Sequence, residues 1–317
     1  MRVMLTGSSG WLGRHLAQRL RAAGHEAVGL DVAPGPDTQI VGSVADRGAV
    51  DQAISGCDAV IHAAALHKPD IARYPRRAFI DVNVTGTLNL LEAAVAHDCS
   101  RFVFTSTTSL MITRKIRDET ADAAVWLNED SGPLAPRNIY GVTKRAAEEL
   151  CRLAHDEQGL PVVVLRTARF FPEEDDTHLT LSGENMKANE LLNRRLTVED
   201  CADAHIAVLE RAPEIGFGLY IASAPTPFVP SDAAELKRDA AGVVARYFPD
   251  APNLYAARGW TLPASIGRVY DAGRLERALG FRCRTDFASV LGALRDGASL
   301  PLAHQADYTS PAIGLIP

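Results

Sequence analysis

Through its first half the chain alternates short apolar runs with longer stretches whose apolar residues recur every three or four positions. The runs at 3–5, 26–30, 58–62, 101–105 and 161–166 read as strands buried on both faces. The stretches at 11–23, 46–54, 78–97 and 138–155 read as helices between them. In the first helix Leu12, Leu16 and Leu20 share a face, and in the third Leu88, Leu91, Ala94 and Val95 do. Strands alternating with helices predict an α/β fold on a doubly wound parallel sheet over residues 1–168. Residues 112–135 are polar and turn-rich and predict a loop over the site. Beyond 168 the periodicity weakens. Residues 183–194 and 198–211 predict helices, 218–222 predict one more strand, and Pro225, Pro227 and Pro230 mark an irregular stretch. Residues 169–317 are therefore expected to be mainly a small substrate-binding cap, with some segments returning to the sheet.

The junction of the first strand and first helix carries Gly7, Gly10 and Gly13 at a spacing of three. A side chain at the first two would keep a diphosphate from the backbone, and the third lets the helix pack closely on the strand. The start of a helix also offers free N–H groups and a positive dipole. Gly7, Ser9, Gly10, Trp11, Leu12 and Gly13 thus form a candidate dinucleotide cradle. Asp31, at the end of the second strand, is placed to accept from ribose hydroxyls and would repel a 2′-phosphate, which favours NAD over NADP. Ser43 and Val44 are candidate adenine contacts, and Ala63, Ala64 and Ala65 are small residues suited to lying against a ligand. Asn83, Thr105 and Ser106 complete the candidate cofactor set. His62, at a strand end, reads as a packing residue.

Residues 106–109 place four hydroxyls after the fourth strand, at the edge where open α/β sheets bind ligands. Tyr140 and Lys144 are four apart and share a helix face. A phenol titrates near about 10 when unperturbed, and a neighbouring ammonium and an oxidised nicotinamide both favour the phenolate. Tyr140 is therefore the candidate general acid and base for hydride transfer at an alcohol carbon. In this reading Thr107 holds the substrate oxygen and Lys144 bonds the nicotinamide ribose, and both belong with Tyr140 to the catalytic set. His67, Lys68 and Thr108 are candidate substrate contacts. Arg169, Arg194, Arg195 and Arg268 are candidates for gripping a phosphate or carboxylate. The acidic run at 173–176 reads as a solvated loop.

Composition narrows the classes. The 317 residues are 47% hydrophobic and 23% charged, ordinary for a soluble globular protein with a sizeable core. A net charge of −6 argues against nonspecific nucleic-acid binding and against an anionic membrane surface. No apolar run reaches the roughly 18–20 residues of a membrane span. The first strand begins two residues after Met1, so no signal or transit peptide is expected. The five cysteines are scattered singly, which argues against a disulfide framework and a structural metal site and fits a reducing, cytoplasmic setting.

Taken together, TGSSGWLG, Asp31, HAAA, VNVTGTLNLLEAA, FVFTST, YGVTK and LRTARFF follow one another as in the extended short-chain dehydrogenase/reductases. The chain resembles the NAD-dependent epimerase/dehydratase family of that superfamily, densely over 1–172 and again in RRLTVEDCADAHIAVLE and RVYDAGRLERALGF. The resemblance implies a Rossmann domain with tightly held NAD, a small C-terminal substrate domain, and a homodimer formed through the helices at 78–97 and 138–155. It implies the trio Thr107, Tyr140 and Lys144, the glycine loop, and Asp31 as the ribose acid. Two departures matter. The family's dehydratases and decarboxylases carry acids after the strand-four threonine, where this chain has Thr108-Ser109-Leu110. Where sugar-nucleotide epimerases often carry an asparagine after strand five, this chain has Arg169. What remains is reversible oxidation of a sugar or sugar-nucleotide alcohol, either as the half-reaction of an epimerase or as a net dehydrogenase or reductase. A noncatalytic NAD-binding sensor is the remaining alternative.

Overall fold

A computed structural model describes residues 1–173 and 181–315. Seven parallel strands form the central sheet in the order β3-β2-β1-β4-β5-β7-β8. They are β1 (Arg2–Thr6), β2 (Glu26–Asp31), β3 (Ile40–Val41), β4 (Ala59–His62), β5 (Arg101–Thr107), β7 (Val162–Thr167) and β8 (Phe217–Ala222). Two short strands, β6 (Val125–Leu127) and β9 (Arg268–Tyr270), pair in parallel as a separate ribbon. The chain order reverses between β1 and β4, and a crevice opens there beyond the carboxyl ends of the strands.

Alternation along each strand sorts the core into two layers. Val3 and Leu5 of β1, Val103 of β5, and Val163 and Leu165 of β7 point to one face. They meet α1 (Trp11–Ala22) and α8 (Val198–Ile215). Met4, Phe102, Phe104, Val162 and Val164 point to the other face. There they meet α2 (Arg47–Ile54), α4 (Gly86–Ala96) and α6 (Ile139–Gln158). On the first face, Arg19 Nε donates to Asp203 Oδ1 at 2.5 Å and ties α1 to α8. The expected strands are present, and β2 runs one residue further than its apolar run, to Asp31.

Four elements differ from the sequence expectation. The helix expected at 78–97 begins as α3 (Arg76–Ile80), widens into a π turn at Asp81–Thr85 and continues as α4. The turn-rich 112–135 stretch is not only a loop, because it contains α5 (Arg114–Arg117) and β6. The helix expected at 183–194 stops as α7 (Gly183–Glu190). In contrast, α8 continues through Pro213 to Ile215, beyond the expected 211.

A third apolar cluster joins Ala124, Leu191, Phe228, Leu236, Val269 and Phe287. It packs β6 and β9 with α7 and the later helices α9 (Ala233–Arg238), α10 (Ala240–Tyr247), α11 (Ala251–Ala257) and α13 (Phe287–Asp296). The remaining helix, α12 (Gly273–Leu279), lies against β8 and α8.

One buried ion pair fixes α6 on the sheet. Arg166 of β7 donates from Nη2 to Glu148 Oε2 at 2.7 Å and from Nε to Oε1 at 3.0 Å. Ser106 Oγ of β5 donates to the same carboxylate at 2.5 Å. Arg166→Met strands that carboxylate without its cation, at an expected cost of about 3–5 kcal/mol. The loss should appear as a lower urea midpoint, and adding Glu148→Met should recover most of it.

Candidate active site

The carboxyl ends of the central strands open into a cavity of about 950 Å³. Gly7 turns the chain there at φ +75°, and a Cβ on it would stand 2.8 Å from Ala64 N. A Cβ on Gly13 would stand 1.9 Å from Gly7 O. The glycines therefore let turn, helix and the 63–65 loop press together, which extends the expected reason for the first of them. Gly7, Gly10, Trp11, Leu12 and Gly13 all line the cavity, as do Asp31, Ser43, Val44, Ala63, Ala64 and Ala65. Ser9 does not. Its N–H donates to Asp31 Oδ2 at 3.0 Å and its hydroxyl to Ala33 O at 2.8 Å, so it holds Asp31 in place. Burial raises the Asp31 carboxyl above its ordinary range, against backbone N–H groups that pull it down. Asn89 Nδ2 donates to Val44 O at 3.0 Å and fixes the segment expected to meet the adenine.

The cradle suits a dinucleotide. Helix α1 has no side-chain cap at Gly10. Trp11 Nε1 and Arg14 Nε, in its first turn, are buried donors without a hydrogen-bond partner among the described residues. Trp11 lines the cavity and Arg14 does not, so phosphate oxygens there would supply the acceptors that the uncapped helix start and Trp11 Nε1 lack. Asn83 is set apart from the cavity. It sits in the π turn, where its Oδ1 accepts from Leu66 N at 2.9 Å and its Nδ2 donates to Leu66 O at 2.9 Å and Thr143 Oγ1 at 3.0 Å. It clamps the loop after β4 onto α6.

Thr107, Tyr140 and Lys144 meet at the cavity floor. Thr107 ends β5 opposite Thr167 of β7. Asn138 caps α6 by accepting from Gly141 N at 3.0 Å, which aims the helix's first turn at that edge. Burial pushes the Tyr140 phenol up to about 12, opposed by a hydrogen bond from Thr107. Burial also pushes the Lys144 amine down to about 7, opposed by Cys151 and Glu148. Its Nζ stands 4.1 Å from the centre of the Phe104 ring. The sequence suggests that the lysine charge drives the tyrosine toward phenolate. In the protein itself desolvation dominates at both groups and favours both neutral forms.

Thr105 and Ser106 border the cavity, yet their hydroxyls are engaged by His205 Nε2 at 2.8 Å and Glu148 at 2.5 Å. Thr108 lines the cavity and its Oγ1 donates to Thr167 O at 3.3 Å. His62 is a core residue, held neutral by burial between Thr6 and Thr87 hydroxyls at 2.7 and 3.1 Å.

Part of the cavity wall is cationic. Lys68, Arg169, Arg194 and Arg268 line it with His67. His67 Nδ1 lies 2.7 Å from Asp70, and its ring stacks on Phe171 with centroids 4.9 Å apart. Arg195 lies outside the cavity wall. It pairs with Glu190 at 2.8 Å and donates to Phe171 O, tying the end of α7 to the chain after β7. Burial would raise the Glu190 carboxyl, but Arg194, Arg195 and Arg169 hold it at about 2. Arg268 is 8% exposed, and its Nε has no hydrogen-bond partner among the described residues. Arg117 and Arg137 also reach the cavity and were not anticipated. Burial lowers the Arg137 guanidinium, and the nearby Arg117 and Arg268 charges lower it further. The position of Arg137, one residue before the α6 cap, was the available signal. Among the described residues the carboxylates lining the cavity are Asp31, Glu173 and Glu190, none of them beside Thr107 in sequence. Glu174, Asp175 and Asp176 of the acidic run lie outside the described residues.

The depressed Lys144 gives a signed pH dependence. Below about 7 both folded and unfolded chains carry the charge, and the fold bears its full desolvation cost. Between there and the unfolded value of about 10.4 the unfolded chain binds the extra proton, so stability rises with pH. Lys144→Met in cofactor-free protein should therefore stabilise by on the order of a few kcal/mol at pH 6.5. Thermal melts should show this gain vanishing toward pH 10.5.

Comparison with known proteins places this geometry in context. A family model described as NAD dependent epimerase/dehydratase family matches residues 3–217. UDP-glucose 4-epimerase 4 of Oryza sativa subsp. japonica is 30% identical over 52% of this chain, but the match spans only 48% of that protein. L-arabinose 1-dehydrogenase (NAD(P)(+)) of Haloferax volcanii is 34% identical over 52% of this chain and 65% of its own length. Uronate dehydrogenase of Pseudomonas syringae pv. tomato is 26% identical over 75% of this chain and 84% of its own length. A short-chain dehydrogenase/reductase superfamily protein from Agrobacterium tumefaciens, solved with bound NAD, superposes with a TM-score of 0.68 at 23% identity. It covers 94% of this chain and 98% of its own, a likeness of fold.

Proposed function

The chain belongs to the NAD-dependent epimerase/dehydratase family, and from that premise we propose that it oxidises and reduces a secondary alcohol of a sugar or sugar nucleotide, with Tyr140 as general acid and base. The observation that carries the reading is that Tyr140, Thr107 and Lys144 line the same cavity as the glycine loop, with Thr107 close enough to favour the phenolate. NAD supplies the hydride acceptor. Tyr140 rests as the neutral phenol and donates its proton to a carbonyl oxygen in the reducing direction. In the oxidising direction it takes the alcohol proton as phenolate, a form that Thr107's hydrogen bond favours. The expected pH profile for oxidation therefore rises toward alkaline pH.

Arg117, Arg137 and Arg268 support a substrate with a carboxylate or phosphate at the cationic part of the cavity wall. Arg169 and Arg194 share Glu190 and act there with part of their charge already balanced. The absence of a carboxylate directly after Thr107 supports simple redox chemistry over dehydration or decarboxylation. The 169–317 region, joined by β6, serves in this reading as the substrate cap over a 1–168 dinucleotide domain. A net dehydrogenase is the second reading, favoured by the arabinose and uronate dehydrogenases among the relatives. NADH accumulating with product identifies it, whereas an epimerase returns the hydride and leaves no stoichiometric NADH.

Two copies of the chain are proposed to pair through α4 and α6, where Leu88, Val142 and Leu153 remain exposed. No helix among the described residues is long and apolar enough to cross a membrane. The five cysteines are buried and unpaired, which supports a reducing, cytoplasmic setting.

Tyr140→Phe should lower kcat by about 10²–10⁴ while NAD affinity stays within a few-fold, measured by turnover and by calorimetric titration. Full activity in that variant would overturn the mechanism. Val142→Lys with Leu153→Lys should shift the mass by light scattering from dimer to monomer.

A further inference from the structure

The C-terminal segment is tied down at both ends of its path along the cavity. His304 Nδ1 lies 2.7 Å from Lys187 Nζ, and Gln305 N donates to Pro172 O at 2.9 Å. At the other end Gly314 N donates to the Tyr74 hydroxyl at 2.7 Å, and that hydroxyl donates to Ala312 O at 3.4 Å. Between these anchors every second residue, Ala306, Tyr308, Ser310 and Ala312, faces the cavity. The Tyr308 ring meets Trp11 edge-on at 5.2 Å. Its hydroxyl faces the Trp11 backbone N–H and the Arg14 guanidinium. Trp11 Nε1 and Arg14 Nε are also buried donors without a hydrogen-bond partner among the described residues. The segment roofs the cavity without filling it, since about 950 Å³ stays open beneath. That volume is near the upper end of small-ligand and cofactor sites.

We propose that residues 305–314 form a strap over bound NAD, that the Tyr308 hydroxyl is a cofactor-binding group beside the diphosphate cradle, and that the strap must lift for NAD to exchange. The inference rests on the reading of this cavity as the dinucleotide site. Trp11, Arg14 and Tyr308 bring three hydrogen-bond donors to one place, and the Tyr74 and Pro172 anchors hold the third over the other two. A strap fastened by a few hydrogen bonds opens locally at low free energy, as a gating element requires.

Stopped-flow displacement of NAD, read by intrinsic tryptophan fluorescence, tests this in the intact protein and three variants. In the intact protein the observed association rate should saturate with NAD concentration, because strap opening limits entry. Deleting everything from Ala306 onward should remove that saturation and raise the NAD dissociation rate by about tenfold or more. Tyr308→Phe should weaken NAD binding by about tenfold, the value of a hydrogen bond to a charged group. Tyr74→Phe touches no cavity wall and keeps the tail, so it should raise both rates without loss of fold. Dissociation rates within twofold of the intact protein in both the deletion and Tyr74→Phe would overturn the strap. Tighter NAD binding in Tyr308→Phe would overturn it as well, by showing that the hydroxyl competes with the cofactor. An intact protein that binds no NAD would instead defeat the dinucleotide reading on which the strap depends.

Discussion

The Glu148–Arg166 pair determines where the candidate chemistry sits. It joins the middle of α6 to β7, and the hydroxyl of Ser106 draws β5 into the same carboxylate. Those three elements carry Tyr140 and Lys144, Thr107, and the chain leading to Arg169. An apolar contact would hold the helix against the sheet but would tolerate sliding and rotation. A bidentate guanidinium–carboxylate contact fixes position and angle together. Glu148 lies one turn beyond Lys144, so the constraint acts close to the groups it orients. Buried ion pairs are weak sources of net stability. The value of this one is geometric, since an error of about 1 Å between acid–base group and substrate is costly for catalysis.

The same enclosure that makes this geometry rigid sets the proton inventory. Tyr140 and Lys144 sit on the wall of the cavity with much of each side chain packed against protein, and desolvation drives each toward its neutral form. A neutral phenol beside a threonine is poised to donate. Accepting a proton demands that positive charge arrive nearby. The acid and base roles proposed for Tyr140 would thus be governed by what occupies the cavity, and the protein alone avoids maintaining a phenolate and an ammonium in the same desolvated wall.

Much of this was legible in the sequence because the signals were local. A buried parallel strand is a continuous apolar run, the glycine turn combines spacing with context, and Tyr140 and Lys144 share a face by helical period alone. Strands β3, β6 and β9 are two or three residues long and carry no period to detect. Ser9, Asn83 and Arg195 were expected to touch ligand. Each is instead taken up by protein partners, since polar side chains beneath a ligand site must also satisfy the loops that build it. Arg117, Arg137 and Tyr308 reach the cavity from segments distant in sequence, and neither composition nor periodicity encodes that convergence.

The buried Glu190 explains how the cationic part of the cavity wall remains folded. Several guanidinium groups in one poorly solvated region repel one another, and without a counter-charge they would push these segments apart. Glu190 accepts three of them, at 2.8, 3.1 and 3.5 Å, and is fully ionised at any ordinary pH as a result. Arg195, the most enclosed of the three, is thereby converted into a structural tie between the end of α7 and the chain that leaves β7. Arg268 has no such carboxylate, and its Nε–H is buried without a partner among the described residues. A buried donor left unmet costs free energy in the empty protein and returns it when an acceptor enters. The division between neutralised and unmet arginines therefore places the strongest demand for an anion at Arg268, on strand β9 of the cavity wall.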